Sequence, residues 1–528
     1  MRVAVGPSDD GKPPRKGIEQ IRRRRDRATS VPTLDSAAFL VEPRERTVSW
    51  AQIATSQVAG TKENIAQAEQ PPAASKPPAP AADAQAAKAD VPSPATDLPA
   101  PANAEAEVLG EPQLACESEL PAEPSNDDPH YDVLLGVAGP SLQYGVLGEL
   151  SGRKIALDLN HTHTLSLFGV QGGGKSYTLG TIAEMASLQI PRVNRLSHPL
   201  ATVIFHYSPT TDYRPEFTSM VQPNPDKGEV QKLQESYGAC PKALTDVVML
   251  VPGDKLQERR AEYQGIEVHP LKFAASELQS SHWRFLMGAV GNQAAYIRQL
   301  NRVMKSLRND LTIHGLRQGI DKSKLPDQLK ELARMRLDLA AEYIDDTAQV
   351  RSLIRPGRLI IVDLRDEFIE KDEALGLFVV LLQLFADARY NNENFNKLVV
   401  FDEAHKYIES RDLVAGLVEV VREMRHKGTS IMVASQDPPS VPVELIELSS
   451  QIILHKFNSP AWLKHIQKAN AALGMLTPER MAHLRPGEAY LWSSKATDEA
   501  FTKGAVKIKL RPRVTRHGGA TKTAVEGN

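Results

Sequence analysis

Beyond Tyr131 the chain alternates short apolar runs with stretches of helical periodicity, the pattern of a mainly parallel sheet covered by helices. "YGVLGEL" and "KIALDLN" predict a small hairpin closed by "SGR", and "HTLSLFG" a strand that runs into a glycine-rich loop. "ATVIFHY", "DVVMLVP", "RLIIVDL", "KLVVFDE", "SIMVASQ" and "QIILHKF" predict further strands, several of them apolar on both faces as buried parallel strands must be. "EAYLWSS" and "AVKIKLR" predict a closing pair.

Between residues 274 and 348 the period becomes helical, which predicts an inserted helical subdomain. In "IRQLNRVMKSLRNDL", Ile297, Leu300, Val303, Met304, Leu307 and Leu311 share one face, and Arg298, Arg302, Lys305 and Arg308 lie away from it. That basic stripe is read either as a solvated outer face or as a surface for DNA. The longest apolar run, "LGLFVVLLQLFADA" from Leu375, is too short to cross a bilayer and predicts a buried helix.

Composition divides the chain further. From about Gly60 to Asp128 it is dominated by Ala, Pro, Glu and Ser, which predicts a disordered linker. Ahead of the linker stands "KGIEQIRRRRDRATS", a solvated charge run or an arm for nucleic acid or a partner. The predicted organisation is an arm over 1–128, a hairpin and the first part of an α/β core over 129–273, the helical insertion over 274–348, the second part of the core over 349–511, and a flexible tail over 512–528. The N-terminus holds no apolar core for a signal peptide, so a cytoplasmic location is expected. Cys116 and Cys240 are the only cysteines and support neither a disulfide framework nor a cysteine metal site. A formal net charge of −2 means that any nucleic-acid surface must be a local patch.

The chemistry starts at "GVQGGGKS", Gly169 to Ser176, which fits G-x-x-x-x-G-K-[ST] between a strand and a helix. Gly169, Gln171, Gly172, Gly173, Gly174, Lys175, Ser176 and Tyr177 are the expected nucleotide-binding residues. Lys175 would neutralise β/γ oxygens of ATP, and Ser176 would ligate Mg²⁺. "KLVVFDEAHKYI" then brings Asp402, expected to hold Mg²⁺ through water, and Glu403, expected to orient or deprotonate the attacking water. "VREMRHKGTSIMVASQDPPSVP" ends a strand at Ser435 and Gln436, and Gln436 is expected to sense the γ-phosphate. Arg422, Arg425 and Lys427 are candidates for an arginine finger acting in trans, or for a plain surface face. Asp363, at the end of "RLIIVDL", is read equally as a member of the site or as a helix cap.

With these pieces in order, the chain from Tyr144 to Lys509 resembles the HerA/FtsK group of ring-forming, DNA-pumping ATPases, and its HerA-like members most. "GVQGGGKS", "IIVDL", "VVFDEAH" and "REMRHKG…IMVASQDP" carry the resemblance in that order, with "LRPGEAYLWSSKA…VKIKL" similar to the group's closing hairpin. It implies a RecA-like P-loop core, ATP and Mg²⁺ bound between subunits of a ring, usually a hexamer, and translocase or helicase movement on DNA. Lys175, Ser176, Asp402 and Glu403 take the corresponding roles, with Arg425 as the finger and Gln436 as the sensor. Residues 129–160 leave room only for a hairpin where HerA proteins carry a β-barrel that docks a nuclease, and His161 and His163 stand where some relatives have a basic residue. Members of the group occur in bacterial antiviral defence, so a nuclease or other defence proteins are further candidate partners. Two other readings stay open: an ATP-dependent assembly or signalling module that moves no DNA, and a soluble ATPase of a conjugation-type transfer machine.

Overall fold

The computed structural model describes residues 129–288, 295–308, 311–409 and 411–519. The arm expected over 1–128 and the last nine residues lie outside the described residues.

The strands are β1 (Val133–Leu135), β2 (Tyr144–Leu150), β3 (Arg153–Asp158), β4 (Thr164–Phe168), β5 (Asn194–Arg195), β6 (Ala201–Ser208), β7 (Val247–Val251), β8 (Glu267–Pro270), β9 (Leu359–Arg365), β10 (Lys397–Phe401), β11 (Thr429–Ser435), β12 (Gln451–Leu454), β13 (Glu488–Ser493) and β14 (Val506–Leu510). They join in one sheet in the order β1-β3-β2-β14-β13-β12-β4-β11-β10-β6-β9-β7-β8, with β5 beside β2. From β12 to β8 every neighbouring pair is parallel. β13, β14, β2 and β3 continue from β12 as antiparallel neighbours. The predicted hairpin is therefore an extension of the main sheet, reached through β14.

The central strands are buried on both faces, and their period of two sorts the side chains between two cores. Val203, Phe205, Ile360, Val362, Val399, Phe401, Ile431 and Val433 belong to one core, against the helix Lys371–Asp387 that the longest apolar run forms. Ile204, Leu359, Ile361, Leu398, Val400, Met432 and Ala434 belong to the other, against the helix Lys175–Ser187. Helices on both faces are what an all-parallel region requires.

Residues 274–348 contain helices Ser280–Leu286, Ala295–Leu307, Ile313–Lys322 and Asp327–Ala341. Ile297, Leu300, Val303 and Met304 are buried, whereas Arg298, Arg302, Lys305 and Arg308 are exposed together. The Thr312 hydroxyl caps the next helix by accepting from Gly315 N–H.

One expectation is overturned for the described part of the C-terminus. Residues 512–515 are not a loose tail, because Arg513, Val514 and Thr515 are fully buried against the helix Lys175–Ser187. Only the fold supplies the buried Glu184, which takes the Thr515 hydroxyl at 2.7 Å and lies 3.9 Å from the Arg513 guanidinium. β1, β5 and β8, of three, two and four residues, are too short to leave a pattern of their own. Among the described residues no helix is long and apolar enough to cross a membrane.

Candidate nucleotide site

β4 ends at Phe168, and the chain then bends through Gly169–Gly174 into the helix that starts at Lys175. Gly172 and Gly174 have φ of 72° and 99°, a region open to glycine at little cost. A Cβ at Gly169 would meet Cβ of His455 at 2.6 Å, so the loop's first glycine is a matter of space. No side chain caps the helix, and its first turn carries no acid. Its leading N–H groups and positive end are thus left to an anion in the loop.

Register brings the other groups to the same edge. β11 lies between β4 and β10, with Ser435 opposite Phe168 and Val433 opposite Phe401. Asp402 and Glu403 follow β10, and Gln436 follows β11. Lys175 Nζ lies 2.6 Å from Glu403 Oε1 and 3.7 Å from Asp402 Oδ1. Gln436 Nε2 donates to the same Glu403 oxygen at 2.7 Å. Glu403 itself has φ 48°, a left-handed conformation that costs a non-glycine residue about 1–3 kcal/mol and directs its carboxylate at the lysine.

All three charged groups are buried. Burial works against the Lys175 ammonium, but the carboxylates of Asp402 and Glu403 outweigh it and raise its pKa. Burial would likewise protonate Asp402, yet Lys175 and His206 hold its carboxyl below the usual range. Asp402 Oδ1 and Glu403 Oε2 are buried without a hydrogen-bond partner. Such oxygens fit a divalent cation and a water respectively. Among the described residues no cluster of three or more His, Cys, Asp or Glu is arranged to hold a metal by itself. The donor set therefore suits a cation shared with phosphate oxygens, with Ser176 and Asp402 as the protein's share.

The cavity over these groups measures about 910 Å³ and is also lined by Gln171, Gly172, Gly174, Ser176 and Tyr177. A larger cavity of about 1060 Å³ lies at the insertion, lined by Arg284, Lys305 and Arg308 among others, and holds none of these groups.

Sequence reasoning missed His206 and His455. His206 lies two residues before the end of β6, next to β10, with Nε2 2.8 Å from the Tyr213 carbonyl and Nδ1 3.7 Å from Asp402 Oδ2. A histidine in the otherwise apolar "VIFHY" was the available signal, but its meaning depends on β6 neighbouring β10. His455 lies under the loop, with Nε2 2.8 Å from Thr178 Oγ1 and Nδ1 donating to the Glu488 carbonyl at 3.2 Å.

Burial lowers the pKa of His455 to about 4, and that of His282 in the insertion also to about 4. Both values lie below the ordinary 6.5, so the unfolded chain binds protons that the folded chain refuses. The stability they permit is present above about pH 6.5 and is lost as pH falls towards 4, at about 1.4 kcal/mol per pH unit for each. Urea unfolding at pH 7 and pH 5 should show this loss, and His455→Asn should make the difference between the two pH values smaller.

Four candidates lie apart from the site. Asp363 is buried in a separate ionic cluster, 2.8 Å from Arg365 Nη2 and 3.3 Å from Arg259 Nε, so it neither caps a helix nor reaches the cavity. Arg425 precedes β11, where its carbonyl accepts from Thr162 Oγ1, and its side chain is exposed. Seven residues of β11 at about 3.3 Å each put it roughly 20 Å from Gln436. Arg422 is exposed on the helix Arg411–Met424, and Lys427 pairs with Asp387. On the same edge His163 Nε2 lies 2.7 Å from Asp158 Oδ2 and His161 Nδ1 3.2 Å from it, which gives both histidines a structural partner.

No family model matches this chain, and no curated protein sequence matches it. Among solved structures it is similar to VirB4 of Thermoanaerobacter pseudethanolicus, with 12% identity over 71% of this chain and 97% of that one and a TM-score of 0.44. The plasmid coupling protein TrwB, in complex with a non-hydrolysable GTP analogue, matches at 11% identity over 74% of this chain and 98% of that one, TM-score 0.44. The genome packaging NTPase B204 from Sulfolobus turreted icosahedral virus 2 matches at 9% identity over 66% and 97%, TM-score 0.30. With a glycine loop between β4 and its helix, and β11 interposed between that strand and the one bearing the acids, the chain has a RecA-like P-loop α/β fold.

Proposed function

We propose that this protein binds and hydrolyses ATP at the edge of its parallel sheet and uses the cycle, within a ring of subunits, to move DNA. The observation that carries the reading is the convergence of Lys175 and Gln436 on one oxygen of the buried Glu403, at 2.6 and 2.7 Å. A triphosphate in the loop gives Lys175 a stronger anionic partner than a single carboxylate. Glu403, released from the lysine and still held by Gln436, is then free to orient a water and take its proton. Ser176 and Asp402 would hold Mg²⁺, which supplies charge neutralisation on the phosphate oxygens when bound. Gln436 touches the base directly, so a change at the phosphate reaches β11 through this one amide.

The exposed row Arg298, Arg302, Lys305 and Arg308 is the surface we assign to DNA phosphates. Arg425 cannot serve its own chain's site across roughly 20 Å of strand, but a head-to-tail neighbour could bring that edge to the cavity. The test is ATP turnover of the full chain with and without duplex or single-stranded DNA, at rising salt, with the assembly's mass read by light scattering. Stimulation by DNA that fades steeply with salt, together with a multimeric mass, is expected. Turnover indifferent to every DNA at low salt removes the DNA part of the reading, and a monomeric mass under turnover conditions removes the ring.

A further inference from the structure

The cavity reaches well beyond the loop, and strand order says in which direction. Asp402, Glu403 and Gln436 lie on the β10–β11 side of β4, whereas β12, β13 and β14 lie on the other. From that far side the cavity is lined by Gly487 and by Lys509–Pro512, and the same chain stretch continues to His517, which also lines the cavity and whose Nδ1 lies 2.5 Å from Oε1 of Glu216, in the segment after β6. A triphosphate with its terminal group beside Glu403 therefore has its nucleoside directed at the chain's C-terminal stretch.

That stretch is firmly seated on one face of the helix that follows the glycine loop. Arg513 N–H donates to the Tyr177 hydroxyl at 2.7 Å, which itself donates to Glu229 Oε2 at 2.9 Å. One turn on, Gly180 leaves the space that the Arg513 guanidinium fills, and a methyl group there would overlap it. Another turn on, the buried Glu184 receives Arg511 Nη1 at 2.6 Å, the N–H groups of Val514 and Thr515 at 3.1 and 3.0 Å, and the Thr515 hydroxyl at 2.7 Å. A buried carboxylate with this many donors is fully compensated, so the seat is rigid. Held at both sides, the Tyr177 hydroxyl fixes its ring, and the His517 ring meets it edge-on at 5.2 Å.

We propose that residues 510–517 form the wall that recognises the nucleoside of a bound nucleoside triphosphate, with the base lying against the Tyr177 and His517 rings. The proposal rests on reading the glycine loop as a triphosphate site. It adds that specificity for a nucleoside resides in a segment clamped to the same helix whose first turn holds the phosphates. The Glu229 carboxylate, which lines the cavity beside Tyr177, is placed to accept from ribose hydroxyls.

Titration calorimetry on the full chain with Mg·ATP and, separately, with inorganic tripolyphosphate tests this. Wild type should bind ATP more tightly than tripolyphosphate. His517→Ala, at a partly exposed position, should weaken ATP by about 3- to 10-fold, the worth of an aromatic contact, and leave tripolyphosphate within about twofold. Gly180→Ala should show the same split by displacing Arg513; should it not fold, His517→Ala decides. An unchanged ATP affinity, or equal weakening of both ligands, overturns the wall. A wild type that binds neither ligand overturns the triphosphate site itself, whereas one that binds both equally well refutes only the wall.

Discussion

Glu403→Gln should lower ATP turnover by about 10²- to 10⁴-fold, the range that a positioned general base contributes, and leave ATP binding intact. The amide preserves the shape of the side chain and an Oε1 acceptor for Lys175 Nζ and Gln436 Nε2, now 2.6 and 2.7 Å from that oxygen. What it lacks is the basicity to take a proton from water. It also removes the carboxylate that competes with phosphate for Lys175, so ATP should bind as well as to wild type or more tightly. Single-turnover hydrolysis, with ATP affinity measured separately, checks both halves. Turnover within about threefold of wild type would mean that another group activates water, and the whole assignment of the acids would then need revision.

The parallel core was legible because its strands are apolar runs with no alternation, and because each run ends in polar or turn residues. The loop was legible for a different reason: Gly172 and Gly174 need backbone conformations that only glycine takes easily, so the requirement is written in the residues themselves. Asp402, Glu403 and Gln436 were readable as strand ends, but their meeting point depends on β11 standing between β4 and β10, a fact of topology. His206 shows the limit well. It is a residue on β6, nearly two hundred positions from Asp402 in the chain, and becomes relevant only once β6 pairs with β10. The tail expected from residue 512 failed, over its first residues, for the same reason in reverse. Arg513 is buried only because the chain crosses the helix bearing Glu184, and long-range ionic pairing leaves no local period to read. Asp363 failed because the strand end that looked equivalent to that of β10 is occupied by Arg259 and Arg365.

Arg425→Ala is expected to abolish most of the turnover without harming the fold, and an equal mixture with Lys175→Ala to regain part of it. An arginine acting on a neighbour's phosphate is worth about 10³- to 10⁵-fold. Arg425 is exposed, with its Nε 3.2 Å from Nε2 of the adjacent His426, so its truncation should cost within about 0.5 kcal/mol of stability. Lys175→Ala should be inactive for the opposite reason, keeping the proposed finger and lacking the phosphate lysine. In a head-to-tail ring, an Arg425→Ala subunit with its loop intact can face the Arg425 of a Lys175→Ala neighbour, and that interface is whole. Random assembly of equal amounts makes such interfaces about one quarter of the total, which bounds the recovery expected if sites fire independently. Turnover of the mixture equal to the sum of its inactive parents, with light scattering showing mixed assemblies, would show that no site borrows Arg425. Activity in Arg425→Ala alone close to wild type would equally remove Arg425 from the neighbour's chemistry, and Arg422, exposed one helical turn before it, would be the next residue to exchange.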